Sequence, residues 1–354
     1  MKALIRIFLP LCIFSFIAFG ISTAVLGVNP DVSYSELSAT SGETSTTTLE
    51  GEFDSIDIDG GASRVTIKPH SESYTRVTVD GQNYIRVNAK ISDGTLEVYN
   101  EWNGTWGWLQ NLFNGSIFHS AAAKITVLVP ENVYEELDIS CGAGVVVCDE
   151  IRARDVNLDV SAGEVRYTQP EDFIAESVDM DVSAGSLRAY NVQTEKYDID
   201  VSVGGADVYG LTGSGDITVS AGSAKVRLAE LNGYCDIDVS AGEAVLDIPE
   251  DASARINCYR SAGEIRITAG GVNKTASDCE TVTINGGKYQ IDADVSAGNI
   301  RIGSGISSPD SGIASTSVGV DAVAPVEAVT EVGDIVESAV EQTMSEVSDA
   351  LNNL

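Results

Sequence analysis

The chain has 354 residues, with 53 acidic against 21 basic side chains and a formal net charge of −32. That balance excludes nucleic acid as a partner, because a phosphate backbone is bound through a basic face. Two histidines, His70 and His119, exclude a multi-histidine metal site, and a 43 % hydrophobic content excludes an acidic disordered polymer, which lacks the apolar surface to offset ordering entropy.

Lys2 and Arg6 precede an uncharged stretch from Ile7 to Val28, and no basic residue returns until Arg64. Positive charge before and none after orients the segment with its N-terminus inside. Residues 1–28 read as a cleaved signal peptide, with small-residue sites at Ala18-Phe19-Gly20 and Ser22-Thr23-Ala24, or as an uncleaved signal-anchor helix, since a span needs about 20 apolar residues. Either way the body is expected to be exported: membrane-anchored with an extracellular body, or secreted to the cell surface. Residues 29–50 are rich in Ser and Thr and read as an extended stalk.

Strand-like runs follow at Phe53–Ile58, Arg64–Ile67, Arg76–Val79, Tyr84–Ile91 and Thr95–Tyr99, and residues 57–67 read as a degenerate first coil of the repeat that comes after them. An insertion at 100–122 then carries all three tryptophans, Trp102, Trp106 and Trp108, with Phe113, Phe118 and His119. Aromatic faces stack on sugars or sit at a membrane interface, which makes these tryptophans candidate ligand-binding residues. The alternative is a plug folded over the open end of the stack, because large exposed aromatic patches are rare without a partner.

The middle of the chain repeats itself. Asp-Val-Ser-Ala-Gly stands at 159–163, 181–185, 238–242 and 294–298, and weaker copies begin at Asp138, Asp200, Thr218 and Tyr259. The marker serines are residues 140, 161, 183, 202, 220, 240, 261 and 296. The first seven lie 18 to 22 residues apart and the last follows after 35, which implies an insertion around Thr268 to Glu280. Each copy alternates apolar and polar residues with period two, the mark of a strand, and a second short strand follows the glycine. Glycine suits that corner as the residue that accepts positive φ.

A unit this short cannot bury its own apolar face, so the fold expected over 51–303 is all-β, a parallel β-solenoid of about 8 coils. An antiparallel sandwich is the competing fold, but it has no need to repeat the same words at one corner. The inward ladder would hold Ile139, Val160, Val182, Val201, Val219, Val239 and Val295 beside Ala162, Ala184, Ala221 and Ala241. Arg260 breaks it and predicts a bulge or a weakened coil. Residues 304–324 form a small-residue linker, and 325–354 an acidic amphipathic helix with Val332, Val336, Val340, Met344, Val347 and Leu351 at helical spacing. That helix would cap the stack or mediate self-association.

The run Ala123-Lys124-Ile125-Thr126-Val127-Leu128-Val129-Pro130, then Leu137-Asp138-Ile139-Ser140, then short strand, glycine and short strand in repetition, resembles the bacterial putative-adhesin family. The resemblance covers roughly Gly51 to Gly303. It implies a surface-exposed β-solenoid of unknown function, exported or membrane-anchored, with some members in envelope-stress proteins.

The repeat also generates columns of acids. Asp138, Asp159, Asp181, Asp200, Asp238 and Asp294 stand two places before the marker, and Glu136, Asp179, Asp198, Asp216, Asp236 and Asp292 four places before it. Like charges on neighbouring strands repel. Calcium, bound by Asp159, Asp179, Asp181, Asp198, Asp200, Asp236 and Asp238, would offset that repulsion, as would plain screening by salt. A basic column at Arg166, Arg188, Lys225, Arg266 and Arg301 would offset it by reaching around the corner.

Outside the export segment there are five cysteines, an odd number without CxxC spacing, read as buried fillers. No nucleophile elbow, phosphate loop or His-Glu-x-x-His motif is present. The expectation is a non-enzymatic cell-surface module, an adhesin whose partner is an envelope or host-surface glycan, wall polymer or protein. The alternatives are a self-associating or envelope-stress scaffold and a calcium-dependent polysaccharide-binding domain.

Overall fold

The computed structural model describes residues 33–38, 44–80, 85–102 and 123–305. Residues 1–28, expected as an export segment, Trp106, Trp108, all but the start of the expected linker (304–324) and the expected C-terminal helix (325–354) lie outside the described residues. The strands, in chain order, begin with β1 (Ser33–Ser38), β2 (Thr44–Leu49), β3 (Ser55–Asp59), β4 (Arg64–His70), β5 (Thr75–Asp80), β6 (Ile85–Ser92), β7 (Thr95–Trp102) and β8 (Lys124–Pro130). The repeat supplies β9 (Val133–Cys141), β10 (Val145–Asp149), β11 (Arg152–Val160), β12 (Glu164–Thr168), β13 (Ala175–Val182), β14 (Ser186–Tyr190), β15 (Thr194–Val201) and β16 (Gly205–Leu211). It continues through β17 (Ser214–Val219), β18 (Ser223–Leu228), β19 (Cys235–Val239), β20 (Glu243–Asp247), β21 (Ala254–Arg260) and β22 (Glu264–Ala269). After these come β23 (Val272–Thr275), β24 (Glu280–Ile284), β25 (Tyr289–Val295) and β26 (Asn299–Gly303).

These strands make two sheets of thirteen, ordered β1-β6-β7-β3-β9-β11-β13-β15-β17-β19-β25-β21-β24 and β2-β5-β8-β4-β10-β12-β14-β16-β18-β20-β26-β22-β23. Each coil gives one strand to each sheet, and coil stacks on coil in parallel, as the solenoid reading expects. All eight repeat copies are coils, and β3/β4 and β7/β8 add two more. The apolar faces of both sheets meet in one continuous core, with Ile139, Val160, Val182, Val201, Val219, Val239 and Val295 all buried. Antiparallel strands close both ends: β5 with β2, and β6 with β1, at one end, β23 and β24 at the other. Such layers cover strand edges that would otherwise pair with other chains. The Ser/Thr run expected as a stalk supplies β1 and β2, where threonines suit a pleated surface and Thr46 meets Thr78 across the strands, Oγ1 to Oγ1 at 3.3 Å.

Four further expectations are corrected. Ala162, Ala184, Ala221 and Ala241 face solvent, because the alternation stops at the preceding valine and the chain turns the corner there. The corner glycines are not selected for positive φ, which none of Gly163, Gly185, Gly204, Gly222, Gly242, Gly263 and Gly298 adopts. They are selected for close approach: a Cβ on Gly204 would lie 2.2 Å from the Gly185 carbonyl oxygen and 2.8 Å from Val182 Cγ1. Corner amides bond to the corner below, as Ala184 N–H does to Ser161 O at 2.7 Å, and this draws the backbones together. Arg260 causes no bulge; β21 stays in register with β25, and its guanidinium pairs with Asp278, 3.0 Å away. Finally, the first repeat copy is offset by two residues: Ser140 pairs with Asp159 and Cys141 with Val160, so its corner is Gly142-Ala143-Gly144.

The long final interval has a topological cause. After β22 the chain builds β23 and β24 against the outer end, then returns so that β25 and β26 slot between β19/β20 and β21/β22. The same happens at the other end, where β3/β4 lies inside β7/β8. The first and the last coil of the solenoid are therefore internal.

Candidate functional site

The outward face of the first sheet carries the aspartates. Asp179, Asp198, Asp216, Asp236 and Asp292 stand on five successive strands, and Asp159, Asp181, Asp200, Thr218, Asp238 and Asp294 form the parallel column beside them. The offset first copy moves Asp138 into the former column, between Asp57 and Asn157, and puts Glu136 opposite Asp155 in a third. Polar side chains satisfy the column near its ends. Asn157 Nδ2 donates to Asp138 at 2.5 Å, Asn257 Nδ2 to Asp292 at 2.7 Å, and the Tyr234 hydroxyl to Asp236 at 3.0 Å.

In the middle the carboxylates face one another. Partial burial, followed by the charges of their neighbours, pushes the carboxyls of Asp57, Asp181, Asp198 and Asp238 above the ordinary carboxylate range. Glu136 is raised chiefly by Asp138. The basic column does not come to their aid. Arg166 and Arg188 lie on the other sheet and pair there with Glu164 at 2.7 and 3.2 Å, and Arg301 pairs with Glu243. Among the described residues no group of three or more carboxylate, Cys or His side chains is arranged to hold a metal ion. Pairing in register sets the carboxylates side by side along the sheet, whereas calcium asks six to eight oxygens to converge.

Of the tryptophans, Trp102 is the last residue of β7, and its two companions lie outside the described residues. The position of that insertion is defined all the same. It joins β7 to β8, the passage from one sheet to the other, which takes three residues at each repeat corner and four between β3 and β4. Arg64 N–H donates to Ala123 O at 2.9 Å, so the far end of the insertion is stitched to the next coil.

Two features were missed in the sequence. Tyr190 and Tyr209 stack on the outer face of the second sheet, with ring centroids 5.2 Å apart, beside Arg188 and Arg227. Both stand seven places after a marker serine, so the repeat held the signal. On the edge opposite the Ser-Ala-Gly corners, a cleft of about 760 Å³ is lined by Phe53, Tyr134, Glu52, Asp54, Glu72 and Glu131 among others. Phe53 stacks on the buried Tyr134 at 5.5 Å, and the Tyr134 hydroxyl donates to Pro130 O at 2.7 Å. An aromatic floor with carboxylates around it suits a hydroxylated or cationic ligand. No local spacing announces the cleft, because its walls come from separate strand ends.

The filler reading holds for four of the five cysteines and fails for Cys279. Cys141, Cys148, Cys235 and Cys258 are buried and unpaired, and Cys279 is exposed. Burial pushes the Cys235 thiol up to about 12 and the Cys258 thiol to about 11. We expect native protein to give up one of these five thiols to a disulfide-exchange reagent, at Cys279, and the other four only after unfolding. A second fast-reacting thiol among them would mean that the core opens locally.

The profile of the Toastrack DUF4097 family matches residues 53–303. A comparison with curated proteins gives no match. Among solved structures, the chain is similar to a putative cell adhesion protein from Clostridium sporogenes, at 12 % identity over 74 % of this chain and 99 % of that one, with a TM-score of 0.26. It is also similar to a putative lipid binding protein from Parabacteroides distasonis, at 15 % identity over 74 % and 97 %, TM-score 0.41. A putative adhesin from Bacteroides fragilis gives 11 % identity over 74 % and 98 %, TM-score 0.35. The family match begins just ahead of the first coil and ends with the last strand: the chain belongs to the Toastrack DUF4097 family, a domain of unknown function.

Proposed function

We propose that this chain is a non-enzymatic, exported interaction module, an adhesin-like element that presents its aromatic insertion to an envelope or host-surface glycan, wall polymer or protein. The observation that carries the reading is the place of the insertion. Closing a coil takes three or four residues at a corner, so the chain between β7 and β8 is far longer than the fold requires, and it holds Trp106 and Trp108 directly after Trp102, the last residue of β7. Loops that exceed the needs of a rigid scaffold are where binding residues concentrate. In this reading residues 1–28 direct export or anchor the chain in the membrane, and the segment 325–354 is an accessory helix that caps or associates. Calcium belongs to the cation atmosphere that screens the aspartate face, with no dedicated cage.

Changing Trp102, Trp106 and Trp108 together to Ala is expected to abolish binding of the purified ectodomain to cells, wall polymer or glycan arrays. A role in binding alone leaves the fold intact, so in this reading the melting temperature stays within about 2 °C of the parent, the shift that roughly 0.5 kcal/mol produces. Undiminished binding would remove the insertion from the mechanism. Lost binding together with a large fall in melting temperature would instead make the insertion a structural plug.

A further inference from the structure

We propose that the last coil, β25 and β26, is an exchangeable wedge that a second copy of this chain can supply, so that the solenoid has a closed monomer and a coil-swapped dimer. The basis is its place in the stack. In the first sheet β25 pairs with β19 from Cys235↔Ile291 to Val239↔Val295, and with β21 from Ala254↔Tyr289 to Arg260↔Val295. In the second, β26 pairs with β20 and β22 through the same five residues, Asn299 to Gly303. The wedge thus fills a slot whose two walls are both made by earlier parts of the chain.

Those walls also fit each other. Because every coil carries the same motif, removing the wedge would bring Val239 opposite Arg260, Ile237 opposite Cys258, Ala244 opposite Ile265 and Leu246 opposite Ile267, all in register. The corner glycines allow the same closure, since Gly263 meets Gly298 in the way Gly298 meets Gly242. A released wedge would expose Ile291, Ala293, Val295, Ile300 and Ile302, all now buried, and a coil cannot bury such a face alone. The slot of another copy satisfies it with contacts identical to those of the monomer.

The hinge is short and bent. Asn285, Gly286, Gly287 and Lys288 join β24 to β25, and the first three have φ of +45°, +96° and +71°, successive residues in the left-handed region. The link must also reverse direction while it crosses β21, because β24 runs antiparallel to β21 and β25 parallel to it. Short hinges under strain favour exchange, since the extended link of a swapped pair relieves them.

The test uses the full chain with Cys12 and Cys279 changed to Ser, and with Asp238→Cys and Asp294→Cys, two outward positions that face each other across β19 and β25. A monomer forms that disulfide within one chain; a swapped pair forms it between chains. Deleting Gly286 and Gly287 leaves a link whose full extension, about 10 Å, only equals the two strand spacings it must cross, so the wedge cannot turn back into its own slot. The shortened chain is expected to run at twice the monomer mass, with a dimer fraction at least tenfold above the parent and a crosslink between chains. A shortened chain that stays monomeric with an internal crosslink overturns the proposal, as does association without the 238–294 crosslink. Should the shortened chain fail to fold, the parent decides: refolding at high concentration yields the interchain crosslink, and an exclusively internal one refutes exchange. Neither outcome bears on the tryptophan insertion, which lies at the other end of the stack.

Discussion

Gly242→Ala is expected to destabilise the protein by about 3 kcal/mol or more, among the largest effects available to a single methyl group here. The added Cβ would sit 2.3 Å from the Gly222 carbonyl oxygen and 2.6 Å from Val219 Cγ1. Neither neighbour can yield. The carbonyl is fixed by the Glu243 amide, which donates to it at 3.0 Å, and the valine is packed in the core. Relief therefore requires prising two coils apart at the corner. Gly271→Ala provides the contrast: nothing lies within 4 Å of its Cβ position, but its φ of +78° is unfavourable for alanine. That change should cost only about 1 kcal/mol, the conformational term alone. Urea denaturation of the two variants separates the mechanisms. Equal losses would show that the corner glycines serve backbone conformation, as the sequence alone suggested, and not close approach.

The contrast also shows how far local pattern could carry the fold. Alternation along Val156, Leu158 and Val160, and repetition of a corner, depend on each coil seeing an equivalent neighbour, so strand identity, inward valines and parallel stacking were legible. What escaped depends on contacts between distant parts of the chain. On the side away from Val219, the neighbour of Val239 is Val295 and not Arg260, and no local rule states that a chain will go out and come back. The two-residue offset of the first copy was hidden because Asp138-Ile139-Ser140 imitates the motif, while the pairing answers to Cys141 and Gly144. The candidate site divides in the same way. The aspartate columns follow from the repeat, whereas the Phe53 cleft is assembled from four chain segments and has no signature in any of them.

Replacing Asp179, Asp198, Asp216 and Asp236 by Asn is expected to stabilise the protein, by roughly 1–2 kcal/mol in total. Opposed like charges cost about 0.2–1 kcal/mol per pair, and exposure to solvent places each at the lower end. For a domain of this size that is about 2–6 °C in melting temperature. The sign of the pH dependence follows from the raised carboxyls of Asp57, Asp181, Asp198 and Asp238. Their folded forms hold protons more tightly than the unfolded chain, so their contribution is complete below the ordinary value of 3.8 and is lost as the pH rises through the raised values. Acidification from neutrality should therefore raise the melting temperature at first. Glu280 opposes this at lower pH: its hydrogen bond from Lys274, then those from Ser277, hold it down at about 2, so its contribution fades as the pH drops from 4.5 toward 2. The stability maximum therefore lies on the acid side of neutrality, and added salt should raise the melting temperature at pH 7 more than at that maximum. The four-site Asn variant should lose the Asp198 share of the rise and part of the shares of Asp181 and Asp238, whose carboxylate neighbours it removes. A parent protein whose stability falls steadily from pH 7 to 4.5, or a variant that keeps the whole rise, would show that the aspartate face is fully relaxed by water and exerts no pressure on the fold.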